Sequence, residues 1–435
     1  MHTSLWSDSV ELPKFQKLQG NLKTDVLVIG GGLCGLLCAY YLKQSGANCT
    51  VVEADRIAGG VTCNTTAKIT ALHGLIYGDL TEKLGFEAAQ KYLSANLQAI
   101  EAFRKLTSKM PCDFERQTAY TYSLQNKEKI EREFSALQRL GANVQMQYNS
   151  PLPISFAAAV GLPEQAQFHP LKFVQGIVQD LNIYEHTRIT EFTPDYVLYD
   201  GGKIMAKKII VATHFPILNK HGLYFLKLYQ HRSYVLALEN AQKLDGMYVD
   251  EADSGLSFRK QDNLLLLGGG GGRTGKKCGN WAELKAFRDR YYPKSQIKFQ
   301  WATQDCMSLD KIPLIGQYSP NTPNLYVATG FNKWGMTSSM VAAKLLTDAI
   351  HGVQNDYADI FAPDRSIWKS QLFINSFETL TNFVYPTAKR CPHLGCALKW
   401  NKYEHSWDCS CHGSRFAPDR TVLNNPSNQN IEKKR

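Results

Sequence analysis

Long apolar runs are missing from this sequence. No stretch reaches the roughly eighteen consecutive apolar residues that a spanning helix needs, so no membrane span is expected. The opening, MHTSLWSDSVELPKFQ, lacks a basic start, an apolar stretch, a small-residue cleavage site and twin arginines. It therefore reads as no export signal, and the expected location is cytoplasmic. Dense basic clusters are also missing. The formal net charge is +10, yet Lys and Arg are dispersed, and only the final EKKR makes a small basic tip. That dispersal argues against nucleic acid or anionic lipid as partner. It argues for a basic soluble enzyme whose charge helps an acidic redox partner or an anionic substrate approach. Finally, no side chain stands out as a general base, which is compatible with chemistry done by positioning a substrate on a cofactor.

What is present is enough chain for two or three domains, 435 residues, with an ordinary 44% hydrophobic content that can form a sizeable core. Of the eleven cysteines, seven are scattered singly, as reduced, mostly buried thiols are. The other four crowd into Cys391–Cys411 and need their own explanation.

The first strong pattern is TDVLVIGGGLCGLLCAYYLKQSGANCTVVEAD, Thr24–Asp55. Asp25–Ile29 predicts a strand, Leu33–Ser45 a helix without a breaker until Gly46, and Asn48–Val52 a second strand ending at Glu53. Between them Gly30-Gly31-Gly32-Leu33-Cys34-Gly35 fits G-x-G-x-x-G. Gly30 permits the tight turn, Gly32 lets the backbone approach a pyrophosphate, and Gly35 lets the helix pack on the strand. The helix N-terminus offers N–H groups to the phosphates. Glu53 is placed to accept hydrogen bonds from a ribose diol. Cys34 and Cys38 fall on the apolar helix and read as core.

This motif alone does not separate FAD from NAD. The next segment, RIAGGVTCNTTAKITALHG, adds Gly59-Gly60 and the hydroxyls of Thr62, Thr65 and Thr66, which suit an extended cofactor. Far downstream, Asn324–Ala328 predicts a strand, glycines follow at Gly330 and Gly335, and a helix begins near Met336. A second helix N-terminus there can face the flavin oxygens where charge gathers on reduction. Together these residues resemble the FAD-dependent oxidoreductases of the D-amino-acid oxidase and glycine oxidase type, over about residues 20–352. The resemblance implies FAD at Gly30, Gly32, Gly35, Glu53, Gly60 and Thr62, with Gly330, Gly335, Met336 and Thr337 toward the ring. It places KKIIVATHFP under the adenine half, with His214 where many relatives carry glycine.

Between the ends, Asn126–Leu140 predicts an amphipathic helix, and Thr118–Ser123, Tyr234–Leu238 and Asn263–Leu267 predict strands. LLLLGGGGGRTGKK meets the first seven P-loop positions at Gly270–Lys276, but Lys277 stands where the Mg²⁺-binding hydroxyl belongs. It therefore reads as a wide glycine turn after a strand, with Arg273 a weak candidate anion clamp. His169 reads as a cap, packing or pocket residue. Lys68 and His73, in the loop near the expected flavin, are the other weak catalytic candidates, Lys68 for stabilising reduced flavin.

The tail reads CPHLGCALKWNKYEHSWDCSCHGS, Cys391–Ser414. A zinc site could use two Cys and two His, but zinc pairs usually repeat one ligand type, whereas here each short pair, Cys391/His393 and Cys409/His412, is mixed. Mixed pairs suit a two-iron cluster in which two thiolates hold one iron and two imidazoles the other. The wording resembles the respiratory Rieske [2Fe–2S] proteins. That resemblance implies Cys391 and Cys409 on one iron, His393 and His412 on the other, and a disulfide between Cys396 and Cys411. It also implies a hydrogen bond from Ser414 to the cluster. Phe416 stands where high-potential members carry Tyr, so a lower potential is expected.

The expected architecture is α/β. A Rossmann-like FAD-binding domain, in parts near 20–105, 155–215 and 300–352, carries an inserted antiparallel α+β substrate domain near 106–154 and 216–299. A linker at 353–370 leads to a small, shortened all-β Rieske domain at 371–435. The expected function is oxidation of a small amine, amino acid or similar substrate at FAD, with electrons exchanged between flavin, cluster and an unknown external donor or acceptor. The alternatives are a non-catalytic redox sensor or electron carrier, and an FAD oxidase with a structural zinc tail.

Overall fold

The computed structural model describes residues 3–218, 221–242, 244–252, 255–366, 370–385, 387 and 389–432. The Lys433–Arg435 part of the expected basic tip and residues 367–369 of the expected linker lie outside the described residues.

The apolar strand Leu22–Ile29 pairs in parallel with Gly202–Val211 on one side and Cys49–Val52 on the other. Leu325–Thr329 and Asn182–Tyr184 extend this sheet in parallel, and Leu314–Gln317 closes it antiparallel. The helix Leu33–Gln44 is apolar on nearly every face because it is covered on nearly every face, by the sheet and by the Gly335–His351 helix. Both helices start at one end of the sheet, so their N-termini address the same cleft.

A second sheet runs in the order Gln296–Ser308, Leu228–Glu239, Leu264–Arg273, Ser257–Gln261, Met247–Asp250, Glu115–Ser123, Ala158–Gln167 and Lys68–Ile69. It draws on Ala158–Gln167 and Gln296–Ser308, which sequence reasoning assigned largely to the nucleotide-binding parts. It is antiparallel except where Met247–Asp250 pairs in parallel with Glu115–Ser123. The expected glycine turn is a correction: Leu264–Arg273 is one continuous strand paired with Leu228–Glu239. Its glycines answer to crowding, since a Cβ on Gly270 would lie 2.4 Å from the Asn280 carbonyl oxygen and one on Gly271 2.6 Å from that of Arg232.

The chain beyond Gly352 does not hang free. Ile360 and Phe361 are buried, and Arg365 forks onto Asp310 and the carbonyls of Ile312 and Pro313. A helix, Ser370–Val384, then leads to a small antiparallel sheet of Leu398–Asn401, Ser406–Cys409, Arg415–Phe416 and Val422–Asn424.

Candidate active site and metal centre

The glycine loop is shaped by contacts that admit no side chain. Gly30 has φ +112°, and a Cβ there would lie 2.5 Å from the Ala212 carbonyl oxygen. A Cβ on Gly35 would lie 1.9 Å from the Gly30 carbonyl oxygen, so helix and strand meet as closely as backbones can. Gly32 is open, with only Thr62 Oγ1 at 3.6 Å, and its backbone lines a cleft of about 740 Å³. Thr62 Oγ1 accepts the Leu33 N–H at 3.0 Å, so it caps the helix from the cleft wall. Glu53 accepts the Gly31 N–H at 2.6 Å and the Asp55 N–H at 3.0 Å, bracing the loop, while burial pushes its carboxyl up. Gly60, Gly335 and Met336 line the same cleft.

Two expected cofactor residues do not. Gly330, at φ +69°, turns the chain off its strand between Leu228 and Ser308. Thr337 is buried and spends its hydroxyl on the Thr70 carbonyl at 3.1 Å. His214 lies on the wall at φ +66°, a conformation that glycine adopts most freely, and burial lowers its imidazole to about 4. Its Nε2 is buried without a hydrogen-bond partner. An open glycine backbone and an orphaned ring nitrogen, along one cleft onto which a helix N-terminus opens, fit an extended dinucleotide.

A second cleft, of about 700 Å³, adjoins the first and shares Asp305, Lys333, Gly335 and Met336 with it. Lys68 lines it, half-buried, with its ammonium on Thr66 Oγ1 at 3.2 Å. Burial, helped by the Arg259 guanidinium, lowers this amine to about 7. His73 is fixed: Nε2 donates to the Thr70 carbonyl at 2.7 Å, Nδ1 takes the Tyr92 hydroxyl proton at 2.7 Å, and the ring stacks on Trp334. Burial holds it to about 3, so it is a neutral wall residue rather than a base. Asp305, which sequence reasoning missed, is raised to about 6 by burial, against the pull of Lys333 and Arg232. Nothing in its local sequence marks it; it becomes visible only where two clefts meet.

Arg273 requires a correction. It lies away from both clefts and donates from Nε to the Ser410 carbonyl at 3.0 Å, from Nη2 to the Cys411 carbonyl at 2.9 Å and from Nη1 to Asn375 at 2.8 Å. Its job is to hold the second Cys/His loop.

That loop and its partner bring the four expected ligands together. Cys391 and Cys409 are buried in one cluster, and the His393 and His412 rings lie 5.0 Å apart at 81°. His412 is buried, and its Nδ1 has no hydrogen-bond partner, as suits a nitrogen reserved for a metal. Ser414 is fully buried and accepts the Ser427 N–H at 3.0 Å. Cys396 and Cys411 stand as separate thiols; their sulfurs and that of Cys409 lie within 4.8 Å of one another. Phe416 is fully buried among the cysteines.

The loop is seated on the second sheet. Gln230 donates to the His412 and Asn425 carbonyls at 2.9 and 2.8 Å, and Gln304, on the wall of the first cleft, donates to the Gly413 carbonyl at 2.9 Å. Arg232 clasps Glu404, which also receives Tyr234 and Arg415. The tail even completes the first cleft, since Arg415 and Asn424 line it.

A dinucleotide cleft opening onto a second pocket, with paired Cys/His loops against its wall, defines a flavoprotein with an attached iron–sulfur domain. The family model for FAD dependent oxidoreductases matches residues 25–349, and that for the Rieske [2Fe-2S] domain matches residues 358–434. The chain belongs to the FAD dependent oxidoreductase family and carries a C-terminal Rieske domain; its cofactors are FAD and a [2Fe–2S] cluster. The Bacillus subtilis (strain 168) protein YhfW, named as a Rieske 2Fe-2S iron-sulfur protein, is 32% identical over 97% of this chain and 95% of its own. The gamma-glutamylputrescine oxidoreductase of Escherichia coli (strain K12) is 21% identical over 81% of this chain and 89% of its own. Glycine oxidase from Geobacillus kaustophilus shares the fold, with a TM-score of 0.67 at 15% identity over 79% of this chain and 99% of that one. No described helix is long and apolar enough to cross a membrane.

Proposed function

We propose that this oxidoreductase oxidises a small amine, amino acid or similar compound at its FAD and exchanges the electrons with its Rieske centre. The observation that carries the reading is the Gln304 contact, one side chain that both lines the cofactor cleft and holds the second Cys/His loop. FAD held there would supply a hydride acceptor for oxidation of a carbon bearing nitrogen, and the cluster would supply a one-electron relay. The amine preference is supported by the Escherichia coli relative, named for gamma-glutamylputrescine.

In this reading Gly30, Gly32 and the Leu33 N-terminus hold the phosphates, Glu53 the ribose side, and the Gly335–Met336 backbone the ring end. Lys68 exchanges a proton beside the reacting carbon. Cys391, Cys409, His393 and His412 hold the irons, and Cys396 pairs with Cys411. The oxidoreductase unit spans about 1–352 and the Rieske unit begins near 371. The test is anaerobic mixing of holoprotein with a panel of amines and amino acids, followed by flavin absorbance and cluster EPR. Cluster reduction in step with flavin reduction is expected. Substrates that bleach the flavin while the cluster stays oxidised would sink the exchange.

A further inference from the structure

The Ser370–Val384 helix is built inside out. Its inward side, apart from the buried Leu372, is polar. Asn375 accepts from Arg273 at 2.8 Å, Glu378 accepts from Lys276 at 2.7 Å, and the Asn382 carbonyl accepts the Ala397 N–H at 2.9 Å. Its outward side carries Phe373, Ile374, Phe377, Leu380, Phe383 and Val384, exposed by 52% to 75%. A helix on a globular protein places these two faces the other way round. Single exposed apolar residues are ordinary, but six on one arc of one helix form a contiguous patch that marks a contact surface.

The chemistry of the patch selects its occupant. Glu378 is the helix's one charged residue, and it is turned inward, so the outward face carries no charge. Thr381, at its edge, returns its hydroxyl to the Phe377 carbonyl at 3.0 Å. The face thus offers almost none of the directional hydrogen bonding that protein interfaces mix with their apolar cores. Where it ends, the charge is basic. Arg390 donates to the Phe383 and Tyr385 carbonyls, and the Lys399 ammonium stands 5.9 Å from the centre of the Tyr385 ring. An apolar stripe bounded by Tyr, Lys and Arg suits a helix lying in the headgroup region of an anionic bilayer.

We infer that the Ser370–Val384 helix seats this protein on an anionic lipid surface, lying in its plane without spanning it. The seat adjoins the metal centre. Leu394, beside His393, is among the exposed apolar residues, and a Cβ on Gly395 would lie 3.5 Å from Phe383. Seating therefore brings the Cys391–Cys396 loop to the lipid surface. It also revises the sequence expectation, which weighed dispersed charge against anionic lipid and had no view of an uncharged face assembled beside Arg390 and Lys399.

The test is independent of the redox reading. Full-length holoprotein is co-sedimented with vesicles of phosphatidylcholine alone or mixed with phosphatidylglycerol. Binding is expected to need phosphatidylglycerol, to weaken with salt, and to fall by about tenfold or more in the double variant F377E/L380E. Flavin and cluster absorbance should stay intact in that variant. Lys399→Glu, which leaves the apolar face whole, should lower only the phosphatidylglycerol dependence. Wild-type protein that stays in the supernatant with every vesicle, or a double variant that binds as well, overturns the inference. So does a wild-type dimer that ignores vesicles and falls apart in F377E/L380E, which would assign the face to a second copy.

Discussion

Lys68 and Asp305 are two groups in the paired clefts whose protons move near neutral pH; Glu133, raised to about 7 by burial, is a third. An amine substrate arrives as an ammonium, and its proton must leave before a hydride can. Lys68, lowered to about 7 by burial and then by Arg259, becomes an acceptor as the pH rises through that value. The rate of substrate-driven flavin reduction should therefore climb through pH 7. Lys68→Met should remove that limb and slow the reaction at pH 8 by about 10²-fold. Stopped-flow absorbance across pH decides it; an unchanged limb in the variant removes Lys68 from the role. Asp305 makes a stability prediction. In the unfolded chain it ionises near 3.8, but in the fold only near 6. Its charged form is thus penalised in the fold, and its unfavourable contribution grows as pH rises from 3.8 to about 6. Asp305→Asn should gain on wild type across that window, measured by urea unfolding at each pH.

At the scale of elements, local patterns were legible and distant demands were not. Thr24–Asp55 could be read as strand, turn, helix and strand because the crowding at Gly35 comes from the Gly30 carbonyl inside the motif, although Gly30 itself answers to the distant Ala212 backbone. The mixed spacing of Cys391, His393, Cys409 and His412 was legible for the same reason: each loop carries its own pair. The run Gly268–Gly272 misled because the need for glycine at Gly270 and Gly271 comes from the Asn280 and Arg232 backbones, outside the strand itself. Arg273 looked like a free anion clamp only because Ser410 and Cys411 lie 137 and 138 residues away. Gly413 repeats the lesson. It sits at φ +85°, and a Cβ there would lie 2.5 Å from the Gln230 Cβ. Gly413→Ala should lift the second cluster loop off its sheet at a cost of about 1–3 kcal/mol. The readout is loss of cluster absorbance with flavin retained; a variant that keeps both cofactors at wild-type stability shows that the loop has room to give.

Across the whole molecule, the small C-terminal sheet borrows the support that its own size denies it. It has four short strands, and its cysteine-lined core is the smallest of the described clusters. The larger unit supplies a polar seat through Gln230, Gln304, Arg273 and the Arg232–Glu404 clasp. Glu404 is the part of that seat with a measurable signature. Burial pushes its carboxyl up, but Arg232 first and then Arg415 and Tyr234 outweigh it and hold it at about 2. The unfolded value is 4.5, so the clasp contributes fully above that pH and is lost as pH falls toward 2. Arg232→Met leaves the buried carboxylate with Arg415 as its one cation, beside the hydrogen bonds from Tyr234 and Asn401, and should cost about 3 kcal/mol. If the two units stand or fall together through this seat, flavin fluorescence and cluster absorbance melt together in the wild type. In Arg232→Met the cluster transition should then move to lower temperature ahead of the flavin's, whereas two transitions that stay superimposed would mean that the clasp is not what couples the units.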